Sequence, residues 1–94
     1  MKEKELLTKA KHMLTEHGGL AWSVRTGHDV FGIFDIIYLS PAGYTSYYQV
    51  STSDHRWQRK YKIMAFRTKH GDLPPRSFLM LWNYAVNNFE FEKV

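Results

Sequence analysis

Two polar side chains stand inside otherwise apolar runs of this 94-residue chain, and their spacing gives them chemical interest. Asp35 lies within DVFGIFDIIYL and Gln49 within YYQVSTS. The stretch between them, SPAG at 40–43, has turn composition, so the two runs read as an antiparallel hairpin. With the loop centred on Ala42, Asp35 falls opposite Gln49. Alternation then puts Tyr47, Gln49 and Ser51 on one face and Asp35 on the same face, with directly opposed residues about 5 Å apart. A carboxylate and an amide oxygen that meet on a sheet of Phe, Ile, Tyr and Val can hold a divalent cation. A buried, unpaired carboxylate is costly or takes up a proton. A cation removes that penalty, and Mg²⁺ favours one or two carboxylates, further oxygens and water. The other reading is structural: an Asp hydrogen-bonded to Gln49 and to the N-terminus of the first helix.

The elements that must position this pair follow from periodicity and punctuation. A helix is expected over 2–17, because Leu6, Leu7, Ala10, Met13, Leu14 and His17 fall on one face of a 3.6-residue repeat. Glu3 shares that face. Gly18 and Gly19 end the helix with the positive φ a C-cap favours. A first strand is expected over 20–26, with Trp22 and Val24 alternating against Ser23 and Arg25, then a turn at Gly27, His28 and Asp29. The second strand, 30–39, is apolar on both faces and so central; Gly32 within it marks a bulge or a close backbone approach. The third strand covers 44–51.

Ser51, Thr52, Ser53 and Asp54 supply N-cap chemistry for a helix over 54–69. Trp57, Tyr61, Met64 and Ala65 are its expected buried stripe, with Ile63 and Phe66 on the opposite, exposed side. A loop rich in Gly and Pro leads to a strand over 77–85, a turn at Asn87 and Asn88, and a short edge strand, FEFEKV. The order α-β-β-β-α-β plus a terminal strand makes an α/β or α+β sandwich in a single domain.

Composition narrows the function classes. There is no cysteine, so no disulfide framework and no thiolate metal site. No apolar run approaches the roughly 20 residues that span a bilayer, and MKEKELL lacks the apolar core of a signal peptide, so a cytosolic location is expected. A net charge of +4 leans toward a polyanionic partner. There is no P-loop, GxGxxG or HExxH, and His12, His17 and His70 have no ligand spacing.

The element order, with an acid on the second strand and a polar residue on the third, resembles the PD-(D/E)XK nuclease superfamily. Size and layout look most like archaeal Holliday-junction resolvases and small phage resolvase-like proteins. In particular, DVFGIFDIIYL followed by YYQVSTS is similar to a phage and prophage subgroup in which QVT or QVS replaces the usual acid-x-Lys. The resemblance implies a restriction-endonuclease-like fold and a Mg²⁺- or Mn²⁺-dependent endonuclease acting on DNA, with branched junctions as a possible substrate. Asp35 matches the metal-binding aspartate and Gln49 the third-strand acid. Val50 would offer its backbone carbonyl, and Ser51 stands where the family has its lysine. Glu3 matches the first-helix glutamate of the resolvases. Ser51 carries no charge, so the resemblance makes Lys60 the first candidate to replace the lysine, with Lys62 next.

Around that site, Arg56, Arg59, Lys60 and Lys62 on the second helix, with His55 at its start and Arg25 on the first strand, are the candidate nucleic-acid contacts. Asp29 is a turn former or an auxiliary acid. The last two strands, and Ile63 with Phe66, could pair across a two-fold axis in a homodimer. Two other classes stay open: a nuclease fold that binds nucleic acid without cutting it, as Gln49-x-Ser51 suggests, and a small phage protein that docks on a host protein through its apolar edge.

Overall fold

The computed structural model describes residues 1–23 and 30–94. In chain order it contains α1 (Glu3–Thr15), β1 (Leu20–Ser23), β2 (Ile36–Leu39), β3 (Thr45–Thr52), a 3₁₀ turn (Ser53–His55), α2 (Arg56–His70), β4 (Ser77–Asn83) and β5 (Asn88–Lys93). The five strands form one mixed sheet in the order β1-β2-β3-β4-β5. Neighbours are antiparallel except β3 and β4, which run parallel because α2 carries the chain across between them. The architecture is the expected α+β layout with an extra C-terminal strand. No helix among the described residues is long and apolar enough to cross a membrane.

The sheet carries a helix on each face. α1 lays Leu6 and Ala10 on Ile36, Tyr48, Val50, Met80, Trp82 and Phe89, with Leu7, Met13 and Leu14 packed at the margin. The other face is covered by α2, whose Ile63 sits on Leu79 and Leu81, with Leu73 and Val94 beside them. Leu79, Met80 and Leu81 are completely buried, as a strand covered on both faces requires. α1 ends as the glycine pair predicts. Both glycines have positive φ, and the Tyr38 hydroxyl donates to the Gly18 carbonyl at 2.7 Å, tying the helix exit to β2.

Three expectations need correction. The second strand does not run from 30 to 39. Val30 and Phe34 bond each other across a tight turn, with Val30 N–H donating to Phe34 O at 2.8 Å and Phe34 N–H to Val30 O at 3.0 Å. Phe31 and Gly32 take positive φ inside it, so Gly32 belongs to a reversal of the chain. Next, no side-chain cap closes the start of α2; a 3₁₀ turn leads into it, and neither Thr52 nor His55 makes a capping bond.

The third correction concerns α2 itself, whose buried and exposed sides are exchanged. Ile63 is 2 % exposed, while Trp57 and Tyr61 are each 68 % exposed. Met64 and Ala65 are also exposed, and Phe66 is half-buried. The physical reason lies on the sheet. Glu90 and Glu92 of β5 flank Leu81 and Leu79 on the α2 side and draw Arg56 and Lys60 inward, and their long apolar stems cover the sheet edge. The expected continuation of the first strand to 26, the turn at Gly27, His28 and Asp29, and the Arg25 contact lie outside the described residues.

Candidate functional site

The hairpin register is the expected one from Ile36 onward: Ile36 faces Tyr48 and Leu39 faces Thr45. Asp35 departs from it. Tyr47 donates its N–H to Arg76 O on the β4 side, so alternation points the polar backbone groups of Tyr48 and Val50 toward β2. In an unbroken ladder the N–H of Asp35 would turn away from β3, yet it donates to Tyr48 O at 2.9 Å. Asp35 and Ile36 therefore both oppose Tyr48, the two-against-one count of a β-bulge.

The bulge re-aims what precedes and follows it. Alternation shifts by one, so Phe34 lies on the α2 face, 5.6 Å from the Tyr47 ring centroid. Asp35 is thus not directly opposite Gln49 on a shared face, as the sequence suggests. Its carboxylate takes a place in the ladder instead, accepting the Val50 N–H at 2.8 Å on Oδ2. In a regular ladder Phe34 N–H would serve the Val50 carbonyl, but here it is used by Val30. Strand geometry points that carbonyl the same way as the Val50 N–H, toward Asp35. The bulge therefore brings together the Asp35 carboxylate and the Val50 carbonyl, two of the oxygens expected to bind metal.

Gln49 and Ser51 occupy the α2 face of β3, in register with Leu79 and Leu81 of β4. Gln49 is 2 % exposed, and its Oε1 has no hydrogen-bond partner among the described residues. An unsatisfied buried amide oxygen is expensive and calls for an explanation. Two residues along, the buried Ser51 Oγ accepts a hydrogen bond from Arg59 Nε at 3.2 Å. Arg59 is half-buried and, among the described residues, pairs with no carboxylate.

The neighbouring cations are engaged elsewhere. Lys60 Nζ lies 2.6 Å from Glu92 Oε2, and Arg56 Nη2 donates to Glu90 Oε2 at 2.9 Å, with Asn83 Nδ2 donating to the other Glu90 oxygen at 2.7 Å. The cation bonded to Ser51 is therefore Arg59, and Lys60 belongs to an ion-pair network that clamps α2 onto β5. His55 is exposed, its Nδ1 2.7 Å from Gln58 Oε1. Beside it, the Thr52 hydroxyl holds the Asp54 carboxyl below its usual range. Lys62 is exposed on α2.

Glu3 is exposed in the first turn of α1, and α1 packs on the face opposite Gln49 and Ser51. The sheet separates Glu3 from those two side chains. Among the described residues no three His, Cys, Asp or Glu side chains are grouped to hold a metal ion. What remains is the Asp35 carboxylate beside Val50 at the bulge and, separately on the α2 face, the buried Gln49 Oε1, with Arg59 bound to Ser51 two residues along. A carboxylate with a neighbouring carbonyl fits a hard cation that keeps several waters, which needs only one or two carboxylates from the protein.

The Arg59–Ser51 bond was not legible in the sequence because it depends on which face α2 buries, and apolar periodicity named the wrong one. A signal was present in FEFEKV, whose alternation puts two glutamates on one face of an edge strand. Those charges require cations from the covering helix. Comparison with family models, with curated proteins and with solved structures finds no match for the chain.

Proposed function

We propose that this chain is a metal-dependent phosphodiester hydrolase of the PD-(D/E)XK type acting on DNA, with Mg²⁺ or Mn²⁺ as its metal. The observation that carries the reading is the buried Gln49 Oε1, which lacks a partner and sits one peptide from the residue that binds Asp35. Asp35 and the Val50 carbonyl would hold the metal at the bulge, and Gln49, as the resemblance implies, would turn its Oε1 toward it from the α2 face. When bound, such a metal lowers the pKa of a water and stabilises charge on the phosphorus oxygens. The chain's own residues have distinct tasks. Asp35 holds its carboxylate in place through the Val50 N–H. Ser51 orients Arg59 through Nε, and the rest of the guanidinium is then directed at a phosphate oxygen, for which its planar fork is suited. A glutamine in place of an acid lowers the charge of the donor set, so metal binding should be weak in the absence of substrate.

The test is cleavage of labelled four-way junction, duplex and single-stranded DNA with Mn²⁺, Mg²⁺ or EDTA, comparing wild type with Asp35→Asn. Cutting that needs metal and disappears in Asp35→Asn is expected. Thermal unfolding gives a readout independent of activity. Millimolar Mn²⁺ should raise the wild-type Tm and leave Gln49→Met unmoved, although that variant, relieved of an unsatisfied oxygen, should be at least as stable as wild type without metal. Identical Mn²⁺ responses in the two proteins would remove Gln49 from the site. A second reading, a nuclease fold that binds nucleic acid without cutting it, is favoured by the engagement of Lys60 with Glu92. It predicts salt-dependent binding and no metal-dependent cleavage by the wild type.

A further inference from the structure

α2 is amphipathic the wrong way round for a helix that only covers a sheet. Its sheet-facing side carries Arg56, Arg59 and Lys60 around a single buried Ile63, while Trp57, Tyr61 and Met64, at i, i+4 and i+7, face outward. Single exposed apolar side chains are ordinary, but three in a row on one stripe are not. The stripe borders a groove of ≈ 500 Å³ between α2 and the end of β5, closed on its far side by Lys93 and Val94. Arg67 lines the same groove together with Glu92, which Lys60 and Arg56 already bind, and among the described residues Arg67 pairs with no carboxylate. Lys60 Nζ sits 5.1 Å from the Trp57 ring centroid while bound to Glu92, so a cation is held against an indole that is 68 % exposed.

We infer that this outer face of α2 is a platform for single-stranded nucleic acid. Bases stack on Trp57 and Tyr61, one helical turn apart, and the strand's phosphates meet Arg67. Aromatic rings that offer a π face beside unpaired cations are the recognition chemistry of single strands, because every base can stack and every linkage carries charge. Charge decides between this occupant and a second copy of the chain. Two copies packed face to face would bury Arg67 of one against the same cation of the other, while Glu92, the glutamate that lines the groove, is already bound by Lys60 and Arg56. The groove is bounded by α2 and the end of β5, and Asp35, Gln49, Val50, Ser51 and Arg59 are not among its lining residues, so binding there is independent of the proposed metal chemistry.

The test is fluorescence anisotropy of a labelled oligothymidylate with the full chain in EDTA, so that its failure leaves the cleavage reading untouched. Trp57→Ala and Tyr61→Ala should each weaken binding roughly five- to a hundred-fold. Both side chains are exposed, and circular dichroism should show the fold retained. Arg67→Ala should reduce the slope of log K against log salt by about 0.7, the contribution of one phosphate on a single strand. Unchanged affinity in the two aromatic variants would overturn the inference. So would equal affinity for an acidic peptide, or a wild-type dimer that the Trp57→Ala, Tyr61→Ala double variant converts to monomer, since either would assign the face to a protein.

Discussion

Removing the Asp35 side chain tests the bulge directly, without reference to any activity. The carboxylate is the acceptor for the N–H of Val50, which is only 7 % exposed. In Asp35→Ala that N–H faces β2 with no acceptor, because the Phe34 carbonyl that a regular ladder would offer is turned to Val30. Stranding a buried donor costs about 1–3 kcal/mol. For a domain of this length each kcal/mol moves Tm by about 4–8 °C, so Asp35→Ala should lower Tm by roughly 5–20 °C. Asp35→Asn keeps an oxygen in the same place and forfeits only the charge assistance, so its loss should stay within about 1 kcal/mol. The assay is thermal and urea unfolding of the three proteins at neutral pH in EDTA. Equal stabilities for the Ala and Asn variants would refute the claim that the carboxylate completes the ladder. For the same reason Asp35→Asn, not Asp35→Ala, is the variant that isolates chemistry from folding.

Three further outcomes follow from the packing. Ile63→Ala should cost about 2–5 kcal/mol in urea unfolding, while Trp57→Ala stays within about 0.5 kcal/mol; the reverse order would mean that α2 buries its aromatic stripe. Gly19→Ala should destabilise markedly, since a Cβ there would lie 2.5 Å from the Leu39 carbonyl oxygen at a φ of +86°; a Tm within a degree or two of wild type would contradict that geometry. Burial pushes the Tyr48 phenol above its usual pKa, so up to about pH 9 it is neutral in both states and adds no pH dependence. Above that, the unfolded chain gives up the proton first and stability falls. Alkaline unfolding midpoints should therefore show Tyr48→Phe losing less stability than wild type between neutral pH and pH values above 10.

The fold was largely legible because its strongest signals are local. The α1 face from Leu6 to Leu14 has one apolar stripe and no rival. SPAG fixes the β2–β3 hairpin and its register from Ile36 to Leu39. The crossover from β3 through α2 to β4 follows from lengths alone. α2 was harder because two stripes compete along it: Trp57, Tyr61, Met64 and Ala65 outnumber Ile63 and Phe66, and periodicity counts side chains without knowing what the sheet offers them. Two glutamates on β5, about thirty residues further on, settle the contest by pulling Arg56 and Lys60 to the sheet. That is a tertiary term, and it outweighs the helix's own pattern.

The site shows the same division at finer scale. Sequence spacing placed Asp35 near Gln49 by assuming an unbroken period of two, and one extra residue is enough to move a side chain to the other face. The tight turn that ends at Phe34 supplies that residue, and Gly32, with φ at +76°, is its one local sign. The consequence reaches the chemistry. With a regular strand, Asp35 would be an unsupported acid on a covered face. In the bulge its carboxylate is held by a backbone N–H beside the Val50 carbonyl, and Phe34 fills the vacated face next to Tyr47. A side chain that completes the sheet is fixed more rigidly than one that merely hangs from it, which is the condition for holding a ligand at set distances. The distortion that spoils the simple reading of the register is therefore also what fixes the Asp35 carboxylate in the sheet, as the proposed metal site requires.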